Sequence, residues 1–187
     1  MKKLVLFMHV SLDGFVAGPN GEMDWIKVDD EMFDYAGKQT DQSDTALYGR
    51  VTYQMMENYW PAAGEQPNAT KHDKQHSAWY NQVPKYVLSK TLKEEKLVNT
   101  FIISDNVTDQ VKQLKQGAGK DIVMFGSPSA AHTLMAENLI DVYWLFVNPI
   151  LVGEGIPLFK KINHKTNLNL LSTATFPSGV VCLHYTL

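Results

Sequence analysis

Ile122-Val123-Met124-Phe125-Gly126-Ser127-Pro128-Ser129-Ala130-Ala131 decides the fold class of this chain. The first four residues are continuously apolar, the pattern of a strand buried on both faces of a parallel sheet. Gly126 lacks a Cβ, so an anion can lie against the backbone there. Ser127 suits an N-cap and Pro128 the first helical position, where a missing N–H costs nothing. The amides and the positive dipole end of the helix would then face a phosphate. The same strand-glycine-helix start also serves as a plain structural turn. A second junction of this kind stands upstream, where Leu47-Tyr48-Gly49-Arg50-Val51-Thr52 runs from strand through glycine into helix with an arginine at the anion end.

Outward from these junctions, strands and helices alternate. Lys3 to Val10 is a central strand, broken by Ser11-Leu12-Asp13-Gly14, and Gly18-Pro19-Asn20-Gly21 marks a loop. Asp29 or Asp30 can cap a helix whose face is Phe33, Ala36, Gly37 and Thr40. After the strand Thr45 to Tyr48, a helix shows Thr52, Met55, Met56 and Tyr59 on one side, and Trp60-Pro61 is expected to end it. A polar helix follows over 69–82, then strands at Tyr86 to Ser89 and Thr100 to Ile103. Val107, Val111 and Leu114 define a helix that stops at Gly117. The helix opening at Pro128 is expected to bury Ala131, Leu134, Met135 and Leu139, before a strand at Val142 to Val147. Residues 168–176 and 180–187 read as a hairpin around Pro177-Ser178-Gly179. This order predicts one α/β domain over 1–187, a three-layer sandwich with a mostly parallel central sheet and an antiparallel C-terminal hairpin.

Composition narrows the function. The 187 residues are 44% hydrophobic, enough for a real core and against a disordered chain. A net charge of −3 leaves no electrostatic footprint for nucleic acid or an anionic membrane. No run is long enough to span a bilayer, and Met1-Lys2-Lys3 leads into a strand-sized segment rather than a signal peptide. The single cysteine, Cys182, excludes an internal disulfide and fits a reducing cytoplasm; in a strand it reads as a buried thiol.

Several constellations have plain alternatives. His72 and His76 have the i, i+4 spacing of a zinc helix, yet Trp79 and Val83 share their face and no third ligand is near, so no metal is expected. Gly117-Ala118-Gly119-Lys120 precedes a strand, whereas a phosphate-binding loop of the Walker type follows one. Ser127 and Ser129 lack the Gly-x-Ser-x-Gly elbow of hydrolases. Leu88-Ser89-Lys90 sits at the carboxyl end of a strand, where doubly wound sheets bind ligands, and could hold a phosphate monoester; solvated strand-end residues are the alternative. Asp13, Asp24, Asp29 and Asp30 cluster around the first strand's exit, as caps or as a proton-handling acid. Asp13 could instead close an Asx-turn before Gly14.

Taken in order, these motifs resemble the dihydrofolate-reductase-like fold, closest to the reductase domain of the bifunctional riboflavin-biosynthesis deaminase-reductase and its stand-alone relatives. The marks are Ser11-Leu12-Asp13-Gly14-Phe15-Val16-Ala17, Leu47 to Thr52, Val87 to Lys90, Met124 to Ser127, Leu139-Ile140-Asp141, Asn148 to Gly155 and Pro157-Leu158-Phe159. The resemblance implies NADPH. Gly49, Arg50, Thr52, Gly126, Ser127, Ser129 and Ala130 would take the pyrophosphate, and Leu88, Ser89 and Lys90 the 2′-phosphate. Ala17 and Gly18 would lie beside the nicotinamide, with Val152 and Gly153 completing the cofactor site. Ser11, Trp25 and Phe33 would contact substrate, and Asp13 or Asp30 would be the acid; Asp30 falls where dihydrofolate reductases keep theirs. Two features depart from the family. Ser127 replaces a usual second glycine, and Gln39-Thr40-Asp41-Gln42, with only Lys38 close, stands where a basic residue for a ribityl phosphate is usual.

The resemblance thus implies a cytoplasmic NADPH-dependent reductase of a pyrimidine- or pterin-like heterocycle, similar to 5-amino-6-(5-phosphoribosylamino)uracil reductase. A dihydrofolate reductase and a non-catalytic NADP-binding protein are the alternatives. A homodimer is also expected, because Val142 to Val147 and the tail hairpin carry more apolar surface than one sheet face needs.

Overall fold

The computed structural model describes residues 1–93, 97–160, 162 and 165–187. The strands are β1 (Leu4–Ser11), β2 (Phe15–Ala17), β3 (Ser43–Gly49), β4 (Lys85–Leu88), β5 (Thr100–Ile103), β6 (Asp121–Phe125), β7 (Val142–Asn148), β8 (Ile156–Pro157), β9 (Asn169–Thr175) and β10 (Val181–Thr186). The helices are α1 (Asp30–Asp41), α2 (Arg50–Ala63), α3 (Lys71–Gln82), α4 (Val107–Gln116) and α5 (Pro128–Ala136). Eight strands form one sheet in the order β5-β4-β3-β6-β1-β7-β10-β9. The first six run parallel, and β10 pairs antiparallel with both β7 and β9. The three-layer architecture with its C-terminal hairpin is the one the sequence predicts.

Alternation along the strands explains the layers, because successive side chains point to opposite faces. On β1, Leu4, Leu6, Met8 and Val10 join Ile122, Met124, Leu47 and Leu145 under α4 and α5. Val5 and Phe7 face the other way, towards Met32 and Tyr35 of α1, with Trp60 of α2 and Trp79 of α3 alongside. Central strands covered on both faces must be apolar throughout, which is why 4–8 and 122–125 read as unbroken hydrophobic runs.

Two local expectations change. α2 continues through Pro61 to Ala63. Proline removes one helical donor and crowds the preceding turn, but only three residues remain here, and buried Ala63 anchors them. Ile156–Pro157, in a stretch read from sequence as loop, pairs antiparallel with Phe15–Ala17 in a small second sheet. The ground for a dimer through β7 also falls away. Its residues from Val142 to Phe146 are buried within the chain, between β1 and β10. Among the described residues, exposed leucines at that end of the sheet include Leu168, Leu170 and Leu171, in and just before β9. Cys182 is buried, and burial pushes its thiol up to about 12, so it is no nucleophile.

Candidate active site

A cleft of about 1320 Å³ opens beyond the carboxyl ends of β1, β3, β4 and β6, between α1, α2 and α3 on one side and α5 on the other. Open α/β sheets place their ligands at this edge. The first residues of α2, α4 and α5 line it: Arg50, Val107 and Pro128. None of these three helices carries a side-chain cap. α1 and α3, by contrast, are closed by Asp29, whose Oδ1 accepts from Met32 N at 2.8 Å, and by the Thr70–Asp73 capping box. Uncapped N-termini leave amide donors and a positive dipole end for a ligand.

Ser127 holds two of these junctions together. It occupies the residue before α5 but with φ 62°, and its hydroxyl does not cap the helix. Instead Oγ accepts from Gly49 N at 2.8 Å and donates to Phe125 O at 3.3 Å. The β3–α2 and β6–α5 turns are thereby pinned side by side, and the N-cap bond expected of Ser127 is replaced by a bond between loops. Gly126, at φ +55°, leaves a gap beside Thr52, whose Cγ2 would lie 3.4 Å from a Cβ at position 126.

Ala17, Gly49, Arg50, Thr52, Leu88, Ser89, Lys90, Gly126, Ser127, Ser129, Ala130 and Phe33 all line this cleft. Ser89 Oγ accepts from Thr91 N and Leu92 N at 3.1 and 2.9 Å, which shapes the turn and keeps its O–H as a donor. Gly18, Val152, Gly153, Ser11, Trp25, Asp13 and Asp30 are not among the lining residues.

The acids are the main correction. Asp13 Oδ1 accepts from Ser11 Oγ at 2.6 Å and Val152 N at 3.1 Å, and Oδ2 accepts from Gly153 N at 2.7 Å. The Ser11 hydroxyl first, then these amides, hold its carboxyl below the usual range. Ser11 Oγ in turn accepts from Phe15 N at 2.8 Å. This pair ties the β1–β2 turn to the 152–153 loop; in place of an Asx-turn, the local amide of Phe15 goes to Ser11 and Asp13 takes the two distant amides. Asp30 is exposed at the start of α1. Asp29 is the cap there, and its second oxygen accepts from Ser178 N at 3.0 Å. Neither predicted acid projects into the cleft.

In their place the floor is aromatic and rich in imidazole. His9 follows Phe7 on the same face of β1, with ring centroids 6.0 Å apart, and Phe7 lies 5.1 Å from Phe125. Phe125 lies 5.5 Å from His76, which packs 4.1 Å from Trp60. His72 stacks on Phe33 at 4.1 Å and 14°. Burial holds His9 down to about 4 and His76 down to about 3, so both rings are neutral near pH 7. Sequence reading placed His72 and His76 on a half-buried or solvated helix face and did not connect them to the site; His76 is buried and His72 half-buried. Among the described residues no group of three or more His, Cys, Asp or Glu side chains is placed to hold a metal. Two bases also line the cleft, Lys38 and Lys71, the latter 2.7 Å from Asp34 and overlooked in the sequence because α3 is distant along the chain.

A family model described as the RibD C-terminal domain matches residues 2–182. The Bacillus subtilis (strain 168) uncharacterized protein YyaP is 36% identical over 188 residues, covering 98% of this chain and 94% of YyaP. Among solved structures, a putative riboflavin biosynthesis protein from Shewanella sp. PV-4 superimposes with a TM-score of 0.71 at 21% identity, covering 98% of both chains. Dihydrofolate reductase from Enterococcus faecalis, complexed with NADP(H), superimposes with a TM-score of 0.64 at 13% identity over 98% of this chain and 95% of that one. Among the described residues no helix is long and apolar enough to cross a membrane.

Proposed function

Because the chain belongs to the RibD C-terminal domain family, a family of pyrimidine-reductase-like oxidoreductases, we propose that it is an NADPH-dependent reductase of a pyrimidine-like heterocycle. The observation that carries this reading is the convergence of three uncapped helix N-termini on one cleft, two of them joined through the Gly49–Ser127 bond. That arrangement fits a dinucleotide, with the pyrophosphate between Gly49 and Gly126 and the 2′-phosphate at Ser89 and Lys90. A bound nicotinamide would supply the hydride; the protein supplies orientation and an apolar, water-poor floor. The dihydrofolate reading loses support, since it needs a free carboxylate against the pterin's N–H donors: neither Asp13 nor Asp30 lines the cleft, and of the acids that do, Asp34 is paired with Lys71 and Asp41 is exposed at the end of α1.

NADPH is expected to bind at least about tenfold more tightly than NADH, because a charge-assisted hydrogen bond to phosphate is worth about 1.5–3 kcal/mol. Calorimetry with the two cofactors checks this, and Lys90→Ala should erase most of the difference while sparing NADH. Equal dissociation constants would remove the assignment of Ser89 and Lys90. Pairing of two copies through β9, where the exposed leucines lie, is the form of homodimer we favour, and a monomer mass by light scattering at micromolar concentration would exclude it.

A further inference from the structure

Asn148, at the end of β7, is fully buried, and its amide orientation is fixed by three contacts. Its Oδ1 accepts from the backbone N–H of Lys27 at 2.8 Å, so the oxygen cannot be exchanged with the nitrogen without losing that bond. Nδ2 is therefore the donor side. It donates to Phe146 O at 3.0 Å and faces His9 Nδ1 at 3.4 Å. A protonated Nδ1 would set one N–H against another, so Nδ1 must be the acceptor. The proton of a neutral His9 is then on Nε2.

The ring itself is confined. Phe146, its register partner on β7, lies 5.2 Å away at 31° and Phe7 lies at 6.0 Å, the two phenyl rings packing side by side 4.7 Å apart. His9 lines the cleft, and Nε2 takes no protein partner among the described residues. Unlike Nε2 of His76, it is not sealed away from solvent. Burial supports the same assignment by holding the imidazole neutral. The carboxylates that could compete as partners for a ligand are engaged or peripheral. Asp34 is paired with Lys71, and Asp41 is exposed as the last residue of α1.

We propose that His9, with its tautomer set by Asn148, presents a fixed Nε2–H donor in the cleft that selects a ring substrate by a carbonyl oxygen rather than by an amino edge. Asn148 is the positioning residue and His9 the specificity-determining one. This rests on the reading that the cleft holds a heterocyclic substrate, and it adds which edge of that ring is recognised. A carboxylate site attracts amino and ring N–H donors; a neutral imidazole N–H attracts an acceptor and leaves an amino group unpaired. Sites that hydrogen-bond one polar group reject the mismatched analogue strongly, because a buried partner is then left unsatisfied.

Two measurements test it separately from cofactor use. Long-range proton–nitrogen correlation spectra of 15N-labelled protein at pH 7, with His9→Phe used for assignment, should show Nδ1 bare and Nε2 protonated. An Nδ1–H tautomer or an imidazolium overturns the proposal. Binding of pteridine-2,4-dione and pteridine-2,4-diamine, two rings of one shape with opposite edges, is then followed by fluorescence without cofactor. The dione should bind at least tenfold more tightly, and His9→Phe should collapse that ratio towards one. Equal binding, a preference for the diamine, or no binding of either ring overturns the assignment. Absence of NADPH binding by calorimetry would instead remove the cofactor reading while leaving a dione preference intact.

Discussion

Taking the protein from pH 7 to pH 5 is expected to lower its unfolding free energy by about 3–4 kcal/mol, chiefly through His9 and His76. Both imidazoles are held neutral by burial, so the folded state resists protons that the unfolded chain accepts below its ordinary histidine value. Stability from these groups is present above pH 6.5. It is lost as the pH falls towards about 4 for His9 and about 3 for His76. Each site loses roughly 2 kcal/mol over the interval. Carboxylates titrate lower, so Asp13, Asp29 and Asp73, whose values are depressed, contribute only below this window. Denaturant melts at the two pH values check the size. His76→Phe, which keeps a ring against Trp60, should halve the loss; equal stability at pH 5 and pH 7 would contradict the burial of these rings.

Gly126→Ala is expected to cut NADPH affinity by about 10²-fold while leaving a folded protein. The added Cβ meets Thr52 at 3.4 Å, an ordinary contact, but it occupies the gap between the two helix starts. Displacing a pyrophosphate from those amides forfeits at least one or two charge-assisted hydrogen bonds of about 1.5–3 kcal/mol each. The left-handed backbone adds a strain of about 1–2 kcal/mol to stability alone. Gly179→Ala, at φ +84° in the C-terminal hairpin, where the Cβ also presses on Pro149 Cγ at 3.3 Å, should show at least that strain with unchanged affinity, which separates the two effects. NADPH binding to Gly126→Ala within threefold of the parent would move the pyrophosphate away from this junction.

The fold was legible in the sequence because its signals are local. Apolar runs at Leu4 to Val10 and 122–125, Pro128 at a helix start and the turn at 177–179 each declare an element without reference to the rest of the chain. The half of the cleft lined by Gly49, Ser89 and Gly126 was legible for the same reason, since glycine at a strand-helix junction is itself a signal. The other half was not. Asp13 looked like an acid in a loop, and only its distance to Val152 and Gly153, some 140 residues on, shows that it staples loops. His9 had no local mark beyond sharing a face with Phe7, and its role depends on Asn148, which no spacing rule connects to it. Ser127 was read as a cap because its identity allows it; a left-handed backbone sends the hydroxyl to Gly49 instead.

The position of β1 has a consequence for how the chain is made. It is made before every other strand of this sheet, yet its neighbours in the finished sheet are β6 and β7. About 110 residues separate Ser11 from Asp121, so at about 5–20 residues per second β1 waits roughly 5–20 s before either edge can be covered. During that dwell an apolar segment, Leu4 to Val10, stands with both edges open, a template for any passing strand. The nascent chain, more than the finished fold, is therefore the form exposed to mispairing, and slowing translation between β1 and β6 lengthens the hazard.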